Sequence, residues 1–327
     1  MKLSKVGELS LLDTLRRRFK KKAAGLVLGI GDDCAVIRPR KQHMLLTTDM
    51  MVEGVHFDLK WTTPFQLGYK LISVNVSDIY AMGGIPEYVL LDFAAPGDFD
   101  TEMFDSLCEG IKKALKAYGM VLIGGDISSA DKVALSATVT GHAPRVIARS
   151  GAGVGDLIYV TGHLGDSAAG LMLMKNFGKP VAMEDGEKAK FRIGWETVRP
   201  LIKRHLMPEA VRPDRFVKKA TAMIDISDGL LIDLKRVCRE SRVGARIYEE
   251  RIPVSEGLGR ASAYLNVRPL DLAMAGGEDY ELLFTAPKGA RVDAFCIGEV
   301  AAPGMKLIDR SGKSRDIPVR GYQHFAL

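Results

Sequence analysis

The chain reads as an α/β protein of two domains, each built on a mixed sheet. Three observations predict this. Its 327 residues suit two domains, at roughly 100–200 residues each. Short apolar runs ending in glycine and aspartate alternate with stretches of helical spacing, but β–β steps interrupt the alternation, which favours mixed sheets over a purely doubly wound one. A glycine-rich tract, Arg149-Ser150-Gly151-Ala152-Gly153-Val154-Gly155-Asp156, divides the chain near its middle. It sets a first domain at residues 1–148 and a second at 149–327.

Residues 9–19 have the spacing of a short amphipathic helix. The basic run Arg16-Arg17-Arg18-Phe19-Lys20-Lys21-Lys22 suits its C-terminal end. No aromatic platform accompanies it, so it reads as a solvated helix end rather than a nucleic-acid surface. Residues 26–37 read as strand, glycine turn, strand, and residues 44–48 as an apolar strand ending at Asp49. From 65 to 82, Leu67, Leu71, Val74 and Ile79 recur at helical spacing, and Gly83-Gly84-Ile85-Pro86 stops that helix. A strand at 88–95 follows. The next helix, at 101–118, carries Met103, Leu107, Ile111 and Leu115 on one face and is ended by Gly119. Residues 120–123 form a buried strand leading into the turn Gly124-Gly125-Asp126, and 132–141 alternate as a half-buried antiparallel strand. Beyond the tract, 157–161 is a strand, 167–176 a helix, 179–190 a polar surface excursion, 221–225 a strand, 230–241 a helix and 281–285 a strand. Short strands close the chain.

Hydrophobic content of 47% and charged content of 26% are those of a globular protein. The net charge of +6 favours anionic ligands without establishing nucleic-acid binding. Cys34, Cys108, Cys238 and Cys296 are widely spaced, which argues against a structural zinc site and fits a reducing compartment. The first ten residues lack a signal-type apolar core, and no run approaches the ~18 apolar residues of a spanning helix. A soluble, cytoplasmic protein is expected.

The acids carry the chemistry. Asp33, Asp49, Asp78, Asp126, Asp225 and Asp228 sit in or beside glycine-rich turns, most just after an apolar run. Buried like charges repel and are costly to desolvate. Divalent cations would resolve both problems, and hard oxygen donors, Thr47 and Thr48 among them, favour magnesium bridging to phosphates. No P-loop, protein-kinase catalytic loop or complete dinucleotide fingerprint is present, so metal ions and glycine turns would have to hold any phosphate. Asp228-Gly229 leads into a helix whose N-terminal N–H groups can bind phosphate; Ser227 or Asp228 is equally suited to be its N-cap. Gly276-Gly277-Glu278-Asp279-Tyr280-Glu281 offers three acids, for a cationic ligand or as an edge-strand charge cluster. His56, alone after the Asp49 run, is a ligand contact or a structural hydrogen-bonder.

These stretches together resemble the thiamine-monophosphate kinase family, within the aminoimidazole ribonucleotide synthetase superfamily. The Gly-Asp turns indicate the superfamily. Glu53-Gly54-Val55-His56-Phe57, Gly276 to Glu281 with Leu283-Phe284, and Gly321-Tyr322-Gln323-His324-Phe325 are more specific to the kinase. The resemblance implies two α/β domains of the synthetase-like fold, a homodimer formed through the N-terminal domains, and transfer of the ATP γ-phosphate to thiamine monophosphate. It implies magnesium ligands at Asp33, Thr47, Thr48, Asp49, Asp78, Asp126, Asp225 and Asp228. Nucleotide contacts follow at Gly125, Asp126, Arg149 and Ser227, and substrate contacts at His56, Glu278 and Tyr322. No side chain need act as a covalent catalyst, because the acceptor phosphate is already anionic and transfer can be direct and in line. Ile127 and Tyr80 depart from the family pattern, which usually has threonine and a small residue there. Competing readings are another ATP-dependent enzyme of the superfamily and a nucleotide-sensing binding protein.

Overall fold

The computed structural model describes residues 2, 5, 8–19, 22–28, 35–39, 43–317 and 321–322. Contacts divide the chain into two units. The first comprises Met1–Ile79, Gly84–Arg145 and Gly178–Glu187; the second comprises Tyr80–Gly83, Val146–Phe177 and Lys188–Leu327.

The first unit opens with helix α1 (Glu8–Phe19) and a small antiparallel ribbon, β1 (Leu26–Leu28) with β2 (Val36–Ile37). Its sheet contains β3 (His43–Val52), β4 (Ile85–Ala95), β5 (Val121–Ser129) and β6 (Ala134–Ala143), in the order β3-β6-β4-β5. Only β4 and β5 run parallel. Helices α2 (Pro64–Ala81) and α3 (Thr101–Tyr118) cover one face. They approach closely because Gly68 and Gly110 carry no side chain: a Cβ would fall 2.3 Å from Leu107 O at the first and 1.9 Å from Phe65 O at the second. Phe93 of β4 packs on Phe104 of α3 with ring centroids 5.4 Å apart. Gly119 ends α3 at φ 72°, donating to Leu115 O, the left-handed cap that glycine makes cheaply.

The other face of this sheet is open. Met44, Leu46 and Met50 are 69%, 62% and 60% exposed and Leu90 is 38% exposed, so β3 alternates helix-facing and outward residues with period two. Three boundaries differ from expectation. β3 runs through Asp49 to Val52, β4 starts at Ile85, and β5 continues through Gly124-Gly125-Asp126 instead of turning there, because those residues pair in register with Leu90-Leu91-Asp92. The polar stretch 178–187 is bound to the start of α2. Gln66 Nε2 donates to Val181 O (2.7 Å) and Glu184 Oε2 (3.0 Å), and Thr63 Oγ1 donates to Glu184 Oε1 (2.8 Å).

The second unit holds a mixed seven-stranded sheet in the order β13-β12-β9-β11-β7-β10-β8. Its strands are β7 (Leu157–Val160), β8 (Ala222–Asp225), β9 (Gly244–Tyr248), β10 (Leu282–Ala286), β11 (Phe295–Ala301), β12 (Met305–Ile308) and β13 (Ser314–Asp316). Its helices are α4 (Asp166–Phe177), α5 (Trp195–Leu206), α6 (Leu230–Ser241), α7 (Glu256–Leu265) and α8 (Pro269–Ala275). The central strands read as unbroken apolar runs because both faces are buried. Ile158, Val160, Ile224 and Leu283 join Leu230, Leu234 and Val237 of α6 on one side. Tyr159, Met223 and Phe284 join Phe216 on the other, where Phe216, Phe284 and Tyr159 stack at 4.3 and 5.2 Å.

Candidate active site

In the first unit, Thr47 and Asp49 alternate onto the helix-facing side of β3, where α2 presents Asn75 and Asp78 one turn apart. Thr47 Oγ1 donates to Asp78 Oδ2 at 2.6 Å, and Asp49 N–H donates to Asn75 Oδ1 at 3.0 Å. Asn75 is itself oriented by its Nδ2 on Leu71 O. Hydroxyl, carboxylate and amide oxygens so arranged are hard donors of the kind magnesium takes.

Thr48 does not join them. The period of two turns its side chain to the open face, where Thr138 Oγ1 lies 3.3 Å away. Asp126 is on that same open face: the register Met50–Ser136–Asp92–Asp126 runs across all four strands, and paired residues share a face. Asp126 therefore stands beside Asp92, an acid the sequence reading did not single out, and on the opposite side of the sheet from Asp49. Two carboxylates in register repel, and a cation would relieve this. Ile127 alternates inward with Phe93, so this departure from the family pattern is a packing residue. Tyr80 is likewise buried.

Gly125, expected at the nucleotide, is demanded by the sheet itself. Its φ is 152°, and a Cβ would fall 1.8 Å from Leu91 O. His56 closes the turn after β3, with its Nδ1 accepting the Val52 N–H at 3.1 Å. That bond fixes the neutral tautomer with its proton on Nε2.

The second unit draws several of the expected residues together. β8 ends at Asp225, and the chain continues beside the glycine-led loop 276–281. Ile226 N–H donates to Glu281 O (2.8 Å), Tyr280 N–H to Ile226 O (3.0 Å) and Glu278 N–H to Ser227 O (2.7 Å). Tyr322, 48% exposed, joins through its N–H on Asp228 O at 3.0 Å. Ser227, Asp228, Glu278 and Tyr322 thus occupy one place.

The start of α6 differs from expectation. Neither Ser227 nor Asp228 caps it. The N-cap is Gly229, at φ 121°, and the fully buried Asp233 reaches back instead. Its Oδ2 accepts the N–H groups of Ser227, Asp228 and Gly229, each at 3.1 Å. The N–H groups of Ser227, Asp228 and Gly229, just ahead of the helix, are therefore held by the protein's own carboxylate. Burial pushes the Asp233 carboxyl up to about 6, against the pull of Arg236. Arg236 bridges Asp233 Oδ1 (2.5 Å) and Asp228 Oδ2 (2.6 Å). The spacing of Asp233 four residues after Gly229 and three before Arg236 was the available signal.

Of the three acids in the loop, the fold presents one. Asp279 and Glu281 are 0% and 4% exposed, whereas the Glu278 side chain is 28% exposed. Asp279 takes the Gly165 and Ser167 N–H groups (2.6 and 3.0 Å) at the start of α4, and burial raises its carboxyl to about 7. Glu281 is tied to Arg204 and to Thr161 Oγ1.

Arg149 is not brought to Ser227. Ser241, the last residue of α6, donates its Oγ to Arg149 O at 2.9 Å. That places the Arg149 main chain at the far end of a 12-residue helix, roughly 18 Å long at 1.5 Å per residue. Asp33 and His324 lie outside the described residues. Among the described residues, no three His, Cys, Asp or Glu side chains group closely enough to hold a metal ion, and no helix is long and apolar enough to cross a membrane.

Two family models match the chain. The N-terminal domain of AIR synthase related proteins matches residues 31–143, and the C-terminal domain of the same proteins matches 153–307. The thiamine-monophosphate kinase of Aquifex aeolicus is 36% identical over 99% of this chain and 100% of its own. That of Escherichia coli K12 is 37% identical over 98% of each. Among solved structures, AaThiL complexed with AMPPCP and TMP superposes with a TM-score of 0.77 at 34% identity, covering 99% of both chains. The hydrogenase maturation protein HypE in complex with ATP, at 17% identity and a TM-score of 0.69 over 99% of this chain and 98% of its own, shares the fold.

Proposed function

The chain belongs to the AIR synthase related proteins and, among them, to the thiamine-monophosphate kinases, and from that premise we propose how it moves the γ-phosphate of ATP to thiamine monophosphate. One observation carries the reading: the Glu278 N–H rests on Ser227 O at 2.7 Å, which ties the residue assigned to the substrate to the residue assigned to the nucleotide.

The transfer is direct and in line. A phosphate monoester presents an anionic oxygen at pH 7, so the acceptor needs no strong base; the obstacle is repulsion between two polyanions. Magnesium, when bound, would offset that charge and align the groups. The residues that would hold it are Thr47, Asp49 and Asp78 on the helix side of β3, Asp126 with Asp92 on the open side, Asp225 and Asp228 in the second unit, and Asp33. The chain's own residues do the rest. Glu278 meets the positive thiazolium ring, Tyr322 and His56 bound the substrate, and Ser227 meets the nucleotide. Arg149 contacts a different part of the nucleotide from Ser227, a reading that its place at the other end of α6 supports. The exposed row Met44, Leu46 and Met50 supports a homodimer formed through the first domain, because that much apolar surface on one open face marks an interface. The protein acts in the cytoplasm.

Release of ADP measured with and without thiamine monophosphate tests the reading. Release that depends on thiamine monophosphate, and collapses in Asp225→Asn while the variant stays folded, supports it. Equal release in both mixtures refutes it.

A further inference from the structure

The last turn of α5 grips the loop that carries Glu278. Arg204 Nη1 donates to Asp279 O at 3.2 Å and is paired with Glu281. The next residue, His205, is 4% exposed and sets its Nδ1 3.1 Å from Glu278 Oε2 and 3.2 Å from Ser167 Oγ. An ionised carboxylate only accepts, so the imidazole donates through Nδ1. The ring has little freedom: α5 lies so close to α4 that a Cβ on Gly170 would fall 2.2 Å from Leu201 O and 3.1 Å from His205 Cβ. Ser167, the other neighbour of Nδ1, is fixed through its own N–H on Asp279 Oδ1.

The loop is held in a conformation that a non-glycine residue avoids. Glu278 and Tyr280 have φ of 64° and 51°, and such backbone persists only where the surroundings over-determine it, commonly at functional sites. Backbone bonds to Ile226 and Ser227 secure the main chain, but they leave a Glu side chain with three rotatable bonds. His205 supplies a contact that favours one direction for the carboxylate.

We propose that His205 is a positioning residue for substrate choice: by donating Nδ1–H to Glu278 it aims that carboxylate at the cationic ring of thiamine monophosphate. The inference rests on the assignment of Glu278 to the substrate. It adds a residue from a separate helix that touches no reacting atom.

Steady-state kinetics on the full-length protein test it. His205→Leu is expected to raise the KM for thiamine monophosphate about tenfold, as loss of one hydrogen bond to a charged group implies, with the KM for ATP within about twofold. His205→Asn, whose amide nitrogen lies near the Nδ1 position, is expected to recover most of the loss, and His205→Gln, which reaches toward the Nε2 position, is not. In a Glu278→Gln background, His205→Leu is expected to add little. Equal KM values for the Asn and Gln variants would overturn the proposal even where the Leu variant does not fold. So would parallel rises in both substrates' KM, or an undiminished effect without the Glu278 charge. A wild type that does not phosphorylate thiamine monophosphate would overturn the functional reading itself and this inference with it. Turnover by the wild type separates the two failures.

Discussion

Two adjacent glycines should respond very unequally when each becomes alanine. At Gly125 a Cβ would lie 1.8 Å from Leu91 O, 2.7 Å from Leu91 C and 2.9 Å from Leu91 N. All three are backbone atoms of the neighbouring strand. Ordinary contact begins near 3.4 Å, so β4 would have to withdraw by roughly 1.5 Å, about a third of the ~4.8 Å between paired strands. Two or three ladder bonds at about 1 kcal/mol each would be lost, and a φ of 152° adds about 1–3 kcal/mol for a residue with a side chain. Gly125→Ala is therefore expected to cost about 4 kcal/mol. At Gly124 the nearest atom is Leu90 Cδ2 at 2.9 Å, the end of a side chain that can turn away, and the cost should stay below about 1.5 kcal/mol. Denaturant unfolding of both variants gives the numbers, and hydrogen exchange over 121–129 locates the damage. A Gly125→Ala protein as stable as wild type, impaired only in ATP binding, would refute the packing argument and leave Gly125 as a nucleotide contact alone.

Further consequences are open to test. Glu278→Gln should weaken thiamine monophosphate by roughly 1–3 kcal/mol and leave ATP nearly unchanged in paired titrations; an equal fall in both would make Glu278 a metal or structural residue. Asp279→Asn should reveal a pH-dependent contribution. The folded carboxyl titrates at about 7 against an ordinary 3.8, so its stabilisation is intact below pH 3.8 and lost as pH rises through about 7. The unfolding free energy of wild type minus variant should fall across that window, and a flat difference would contradict the burial argument. Leu46→Asp on the open face of β3 should shift sedimentation from dimer to monomer while far-UV circular dichroism stays unchanged; a persistent dimer would move the interface elsewhere.

The fold was legible where one periodicity dominates. Leu67, Leu71 and Ile79 marked α2, and the apolar runs at 157–161, 221–225 and 281–285 marked the buried strands of the second unit. α5 went unmarked although Val198, Leu201, Ile202 and His205 bury one face, because Pro200 interrupts the helical pattern. The glycines of β5 misled for a physical reason. Gly124-Gly125 reads as a turn, yet glycine also permits close strand approach, and only the partner strand decides between the two.

The same limit applied to the site. Ser227, Asp228, Glu278 and Tyr322, which the fold brings together, could be picked out as candidates in the chain, because glycine-flanked acids and a family pattern are local features. Which face Thr48 and Asp126 occupy depends on cross-strand register. Asp233 and His205 act through tertiary contacts, and in sequence each looks like an ordinary residue of a helix. Asp92 became visible only when β4 and β5 were laid side by side.

The central claim is direct transfer from ATP to the phosphate of thiamine monophosphate, with no enzyme-bound intermediate. ATP made chiral at the γ-phosphorus, turned over with thiamine monophosphate and magnesium, tests it most directly. The account predicts one thiamine diphosphate for each ADP, with inverted configuration at the transferred phosphorus. Retention of configuration, a phosphorylated protein recovered under denaturing conditions, or no labelled thiamine diphosphate would contradict it.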